Sequence, residues 1–316
     1  MLVRIESVAF LALLLLPLIR PPSAGRRPSG LLSWFAPITG LAGIFMVGVV
    51  VPLPIIDGWL GGSNVASLVQ NALAIVAFWF VMEAARTLDG SSFNARTLWE
   101  LPTMIAAFAV PFILIADRRP TSTDFIKETA DQPGLWAYAS IYMGCVVLIM
   151  TRMLIGVSGR QPRPYILIRV GAWAILVASL IEIVYLTLRV LRHGRTPAVE
   201  FVGGLFTVPF YGGVVLVCAG ITVFSLARAG RRSMNTVLSN LLTRANVSRG
   251  MVLMPIPGED PVHETYRLAV RLTDIANSEP LTRRERMLLR AAAQVLDRQM
   301  KAPAVVRMCS GAGVVT

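Results

Sequence analysis

The chain has 316 residues, of which 55% are hydrophobic and only 15% charged, with a mean hydropathy of +0.64. A soluble domain carries about 25% charged residues, so this composition excludes a globular protein at home in water. The formal net charge of +12 is unevenly placed: from Arg228 onward the chain holds 14 Lys and Arg against 7 Asp and Glu. Basicity concentrated after an apolar region reads as a topological or anionic-lipid signal, not as the signature of a nucleic-acid binder.

Seven apolar runs follow in chain order: Leu2–Ile19, Leu31–Val51, Val65–Ala85, Leu98–Ala116, Leu135–Val157, Ile166–Leu188 and Phe201–Ala227. Each is close to the ~20 residues a spanning helix requires. The first, with its Leu11–Leu16 centre followed by Pro22-Ser23-Ala24, also has the form of a signal peptide. Glu6 beside Arg4 makes a poor positive leader, and Arg20, Arg26 and Arg27 follow as cytoplasmic anchors would, which favours a retained span. The reading is an all-α, polytopic membrane bundle of about seven spans over residues 1–229. A small basic helical cytoplasmic domain follows over 230–301, and 302–316 reads as a disordered tail.

Orientation is read from Lys and Arg in the short loops. With the N-terminus outside, Arg20, Arg26, Arg27, Arg86, Arg96, Arg160 and Arg163 are inside, and Arg4, Arg118, Arg119, Lys127, Arg189, Arg192 and Arg195 are outside. The balance is broken by Arg152 and Arg169 at inner span edges and by Arg228, Arg231 and Arg232 after the last run. Together they favour a cytoplasmic C-terminus, and the expected location is the plasma membrane. Among the outer segments, Pro52–Ser63 reads as a Pro/Gly turn and Arg189–Glu200 as a loop that begins basic. No internal repeat of the kind that builds many transporters is visible.

Past the spans, Asn235–Asn246 reads as a helix continuing from the membrane and Val247–Gly258 as a loop. Asp260 with Pro261 opens a helix to about Ala276. Thr282-Arg283-Arg284-Glu285 is a capping box opening another to about Met300. Leu288, Leu289, Ala292, Val295 and Leu296 give that second helix one apolar face.

The segment Pro52–Gln70, with Asp57, Leu60-Gly61-Gly62 and Asn64-Val65-Ala66, resembles a family of uncharacterised actinobacterial membrane proteins. The phrase His263–Asp274, with Tyr266-Arg267, is similar to that family's cytoplasmic helix. The resemblance implies about seven spans and a C-terminal cytoplasmic domain of unknown function, and such proteins often carry transporter labels. This chain departs from the pattern in a shorter first segment and at Ala269-Val270-Arg271.

Ionisable residues at membrane depth are functional candidates because they are costly to keep there. They are Glu182, Glu83, Glu100, Arg152 and Arg169. The last four fall near inner span edges, where snorkelling competes with an interior pairing of Glu83 or Glu100 with Arg152 or Arg169. Glu182 lies too deep to snorkel, and the expectation is a neutral carboxyl hydrogen-bonded inside the bundle. Pro37, Pro102, Pro111 and Pro209 are expected to kink spans. Small pairs such as Ala36/Gly40, Ser140/Gly144 and Ala174/Ala178 suit helix packing. Trp34, Trp79, Trp99, Trp136 and Tyr165 read as interfacial anchors.

No phosphate-binding glycine loop, nucleophile–base pair or metal-ligand spacing is present. His193 and His263 lack partners in the pattern, and Cys145, Cys218 and Cys309 share no spacing. The chain therefore reads as non-enzymatic, with no catalytic or metal residues and no cofactor. Three functions compete. The first is a sensor or regulator working through the tail, with the bilayer and its anionic lipid, a cytoplasmic protein and further copies of the chain as partners. The second is a transporter or channel for a small solute. The third is a membrane-anchored DNA binder, in which Arg283, Arg284, Arg286 and Arg290 would meet phosphates. A lipid-facing or solvated basic patch ranks above nucleic acid for those four.

Overall fold

A computed structural model describes residues 11, 13–14, 28–48, 50–87, 95–116, 118, 121–122, 125–129, 132–158, 163–192, 196–248, 261–278 and 280–300. Among these there is helix and no strand. The helices are α1 (Pro28–Met46), α2 (Leu53–Trp59), α3 (Val65–Thr87), a 3-10 turn (Ala95–Trp99), α4 (Glu100–Ile113) and α5 (Phe125–Glu128). They continue with α6 (Pro133–Val157), α7 (Arg163–Arg192), α8 (Pro197–Ser248), α9 (Pro261–Ser278) and α10 (Arg283–Met300). The chain divides into two compact units, Met1–Phe224 and Ser225–Thr316, and the boundary falls inside the 52-residue α8.

Among the described residues, four helices are long and apolar enough to cross a membrane: Val65–Arg86, Pro133–Val157, Tyr165–Leu191 and Pro197–Phe224. They match four of the seven expected runs. Two more runs form shorter apolar helices, Phe35–Met46 and Thr97–Ile113. The first of these ends where the backbone turns at Gly48 with φ 93°. The second opens on the 3-10 turn, and α4 itself has only 14 residues, about 21 Å. Of the first run only Leu11, Leu13 and Leu14 are described, so its reading as span or leader lies outside the described residues. The same is true of the Val247–Gly258 loop beyond Ser248, of Asp260, of His193 and of 302–316.

In the first unit α1 packs on α3, α3 and α4 on α6, and α6 on α7. The side chains at that meeting are large and fully buried, Trp79, Phe108, Phe112, Tyr138, Ile149, Met150 and Met153 among them. Burial on this scale, with Phe112 5.1 Å from the Tyr138 ring centroid, gives the centre of the bundle an aromatic layer. Trp79 is therefore not an interfacial anchor: at 0% exposure it is core, and Tyr165 at 4% is nearly so. Trp99 and Trp136 are exposed, as anchors would be, and Trp173 joins them at 56%.

α8 is admitted to the bundle through glycine. A Cβ at Gly171 would come within 2.6 Å of the Gly213 carbonyl oxygen, and one at Gly213 within 2.7 Å of that of Gly171. The two backbones touch there, as small residues allow in membrane helices. Of the expected small pairs, Ala36, Ala178 and Gly40 meet neighbours, but a Cβ at Gly144 would meet nothing within 4 Å.

The second unit has its own core of Leu242, Leu268, Ala269, Leu272, Ala292 and Leu296. Asn246 is completely buried in it and donates through Nδ2 to the carbonyls of Leu242 and Leu268, tying α8 to α9. At the head of α10 the capping box forms as the sequence expects. Thr282 donates through its N–H to Glu285 Oε2 at 2.7 Å and through its hydroxyl at 2.8 Å, and Glu285 N–H returns to Thr282 Oγ1.

Candidate functional site

Three polar loci stand out, two in the bundle and one in the tail. The first gathers the ends of α3 and α6 with the starts of α4 and α7. Arg152 donates to Glu100 Oε2 at 2.5 Å, with both side chains partly exposed. Glu83 is 3% exposed and accepts from Arg86 at 2.8 Å, one helical turn on. The Arg86 stem lies against Gly156, where a Cβ would come within 3.2 Å of Arg86 Cγ. Glu83 is also within electrostatic reach of Glu100 and Arg152.

Arg169 reaches the end of α6. Its Nε and Nη2 donate to the Val157 carbonyl at 3.3 and 2.7 Å, so the guanidinium caps the C-terminal end of α6. Around these span ends the structure thus shows a long-range Arg152–Glu100 pair, a Glu83–Arg86 pair within α3 and a helix cap from Arg169.

The second locus is a stripe on α7. Its outward face carries Ile166, Val170, Trp173, Val177, Leu180 and Val184, all exposed. The opposite face buries Ser179 (0%), Glu182 (9%), Tyr185 (3%) and Arg189 (2%). Glu182 therefore faces the protein, as a carboxyl at that depth must to avoid lipid.

Arg189, read from the sequence as an outer-loop cation, is instead two turns beyond Glu182 on the same buried face, because α7 continues to Arg192. It donates to the Tyr185 hydroxyl at 2.6 Å and lies 5.9 Å from the centre of that ring. Glu200, in the first turn of α8, is 3.9 Å from Arg189 Nη1. The Tyr185 ring is made room for by Gly203, where a Cβ would come within 2.8 Å of it. A buried Arg needs both charge and hydrogen-bonding partners, and its surroundings supply an acid, a hydroxyl and a ring face.

The sequence reading also missed a buried carboxylate. Pro52–Ser63 is not simply a turn: it forms α2, then a run of left-handed residues, Gly61 (φ 93°), Gly62 (75°), Ser63 (64°) and Asn64 (59°). Glycine relieves the first two, whereas Ser63 and Asn64 hold a conformation costly for side-chain-bearing residues. Asp57, 0% exposed, secures that run. Its Oδ2 accepts the N–H of Asn64 at 2.9 Å and the Thr121 hydroxyl, and its Oδ1 accepts the N–H of Ala66 at 2.7 Å. The Asn64 side chain accepts the Ser122 N–H at 3.1 Å. Asp57 is thus the N-terminal cap of α3, delivered from nine residues upstream. The available signal was Asp57 followed by a Gly-Gly-Ser-Asn turn just before an apolar helix.

The third locus is in the tail, where Arg283, Arg284, Arg286 and Arg290 are all exposed on α10. No family model, no curated protein and no solved structure matches the chain.

Proposed function

We propose that this is a seven-span plasma-membrane protein, N-terminus outside and C-terminal unit in the cytoplasm, that acts as a non-enzymatic regulator or interaction protein through that unit. The observation that carries the reading is the independent core of the second unit, packed around Leu242, Leu272 and Ala292 directly after the last apolar span. A tail that existed only to end the chain would need no such core. In the bundle, Glu100 and Arg152 pair with each other and Arg169 caps α6, a use of charge that favours scaffolding over a solute path.

Reporter fusions test the topology: a cytoplasmic signal at Gly230 and an external one at Gln132 are expected, and an external signal at Gly230 overturns it. The regulatory role is tested by co-purification from membranes. A soluble partner retained by the full chain and lost with Leu272→Asp, which breaks the tail core, supports it; a partner held equally by both proteins refutes it.

The buried Glu182 and Arg189 favour a second reading, transport coupled to proton movement. In proteoliposomes that reading requires a flux that Glu182→Gln abolishes while leaving the fold intact. Unchanged stability with no flux in either protein leaves Glu182 as a packing group.

A further inference from the structure

We infer that the exposed face of α10 docks on an anionic phospholipid surface, with Met287 entering the bilayer interface inside a rim of Arg283, Arg286 and Arg290. The inference rests on the tail-mediated reading above and supplies the chemistry its surface meets.

Around α10 the buried side is formed by Glu285, Ala292 and Leu296, with Leu288 and Leu289 partly covered. The opposite side presents Arg283, Arg286, Met287 and Arg290 within one arc of about 100°, since residues three, four and seven apart share a helix face. Met287 is 63% exposed, the most exposed large apolar side chain among the described residues of the tail. An acid beside these arginines would neutralise the patch. The only one in the first two turns, Glu285, is turned inward to 6% exposure because it closes the capping box with Thr282. The next acid on α10, Asp297, is seven residues past Arg290, about 10 Å along the helix.

A single apolar knob surrounded by cations fits a lipid headgroup layer well: phosphates take the guanidinium groups and the acyl boundary takes the thioether. Duplex DNA would satisfy the arginines but leave Met287 against a phosphate backbone, and an acidic protein surface would need a matching pocket. Attachment favours lipid as well. The unit begins at Ser225, immediately after a span that ends at Phe224, so the patch is tethered to a bilayer and samples it at high local concentration.

The full-length protein in nanodiscs, whose two faces are both open to solution, provides the test. Tryptic cleavage after Arg283, Arg284, Arg286 and Arg290 is timed in discs of phosphatidylcholine alone and in discs containing phosphatidylglycerol. The expected result is slower cleavage with the anionic lipid, relieved by high salt. Because cleavage would itself change with arginine content, the variant Arg283→Gln/Arg290→Gln is read with a fluorophore on Met287→Cys, in a background with the native cysteines replaced by alanine. The label should move to an apolar environment in anionic discs, and the paired substitution should weaken that state about 25-fold, roughly fivefold per arginine.

Equal cleavage and an unchanged label in both kinds of disc overturn the inference. So does protection by duplex DNA in phosphatidylcholine discs that exceeds protection by anionic lipid. Either failure leaves the co-purification result, and with it the regulatory reading, standing separately.

Discussion

In the first unit Glu83, Glu182 and Arg189 lie at 9% exposure or less, whereas in the second Arg283, Arg284, Arg286 and Arg290 all stand in solvent. The same contrast governs how helices begin. α3 is capped by Asp57, which arrives from another helix and also holds Thr121, while α10 is capped by Thr282 and Glu285 within three residues. Where the surroundings are apolar, a polar group must find partners across the fold, because lipid offers none. Where water is available, local hydrogen bonds suffice and charge can be left on the surface. The bundle therefore spends buried ionisable residues on holding itself together, and the second unit leaves its four α10 arginines exposed.

Substitutions break or sharpen this contrast. The largest effect is expected for Leu272→Ala, which removes a fully buried side chain from the small tail core at a cost of about 3 kcal/mol. It should melt the tail alone: protease should cut α9 and α10 faster while the buried Cys218 thiol in the bundle stays closed to a maleimide dye. Simultaneous exposure of Cys218 would show that the two units are not independent.

Asp57→Ala should act in the reverse sense. It leaves the N–H groups of Asn64 and Ala66 and the Thr121 hydroxyl without their acceptor, a loss of about 2 kcal/mol. The expected readout is a lower melting temperature of the detergent-solubilised bundle by Cys218 exposure, with Asp57→Asn recovering part of it. An unchanged melting temperature would show that α3 does not need its remote cap.

Glu285→Ala should cost about 1 kcal/mol, the value of a local cap, measured as faster hydrogen exchange in the first turn of α10. Arg152→Ala, which breaks a partly exposed pair with Glu100, should cost only about 0.5 kcal/mol in bundle stability. A loss of several kcal/mol there would mean that this pair behaves as a buried one, making the charge cluster a core feature of the bundle.

How much of this was legible beforehand depended on the range of the interaction. Four apolar runs became helices of spanning length, the capping box at Thr282 formed, and α9 begins at Pro261, because apolar content and capping act within a few residues. Glu182 could be assigned to the interior because lipid excludes a carboxyl whatever the neighbours are. Arg189 could not: nothing local distinguishes a basic loop residue from one drawn into an extended helix. It took the Tyr185 hydroxyl, the Glu200 carboxylate and the clearance at Gly203 to make burial tolerable.

The sequence by itself determined that the chain is helical, strongly apolar, and basic at its C-terminal end, since composition and short-range periodicity carry that information. Only the tertiary structure decided which polar groups meet. Asp57 reaches Thr121, Arg152 reaches Glu100, and Trp79 goes to the core instead of the interface, at separations no local pattern encodes. The physical reason is that an apolar surrounding leaves each buried donor and acceptor dependent on whichever partner the packing of distant helices brings within about 3 Å.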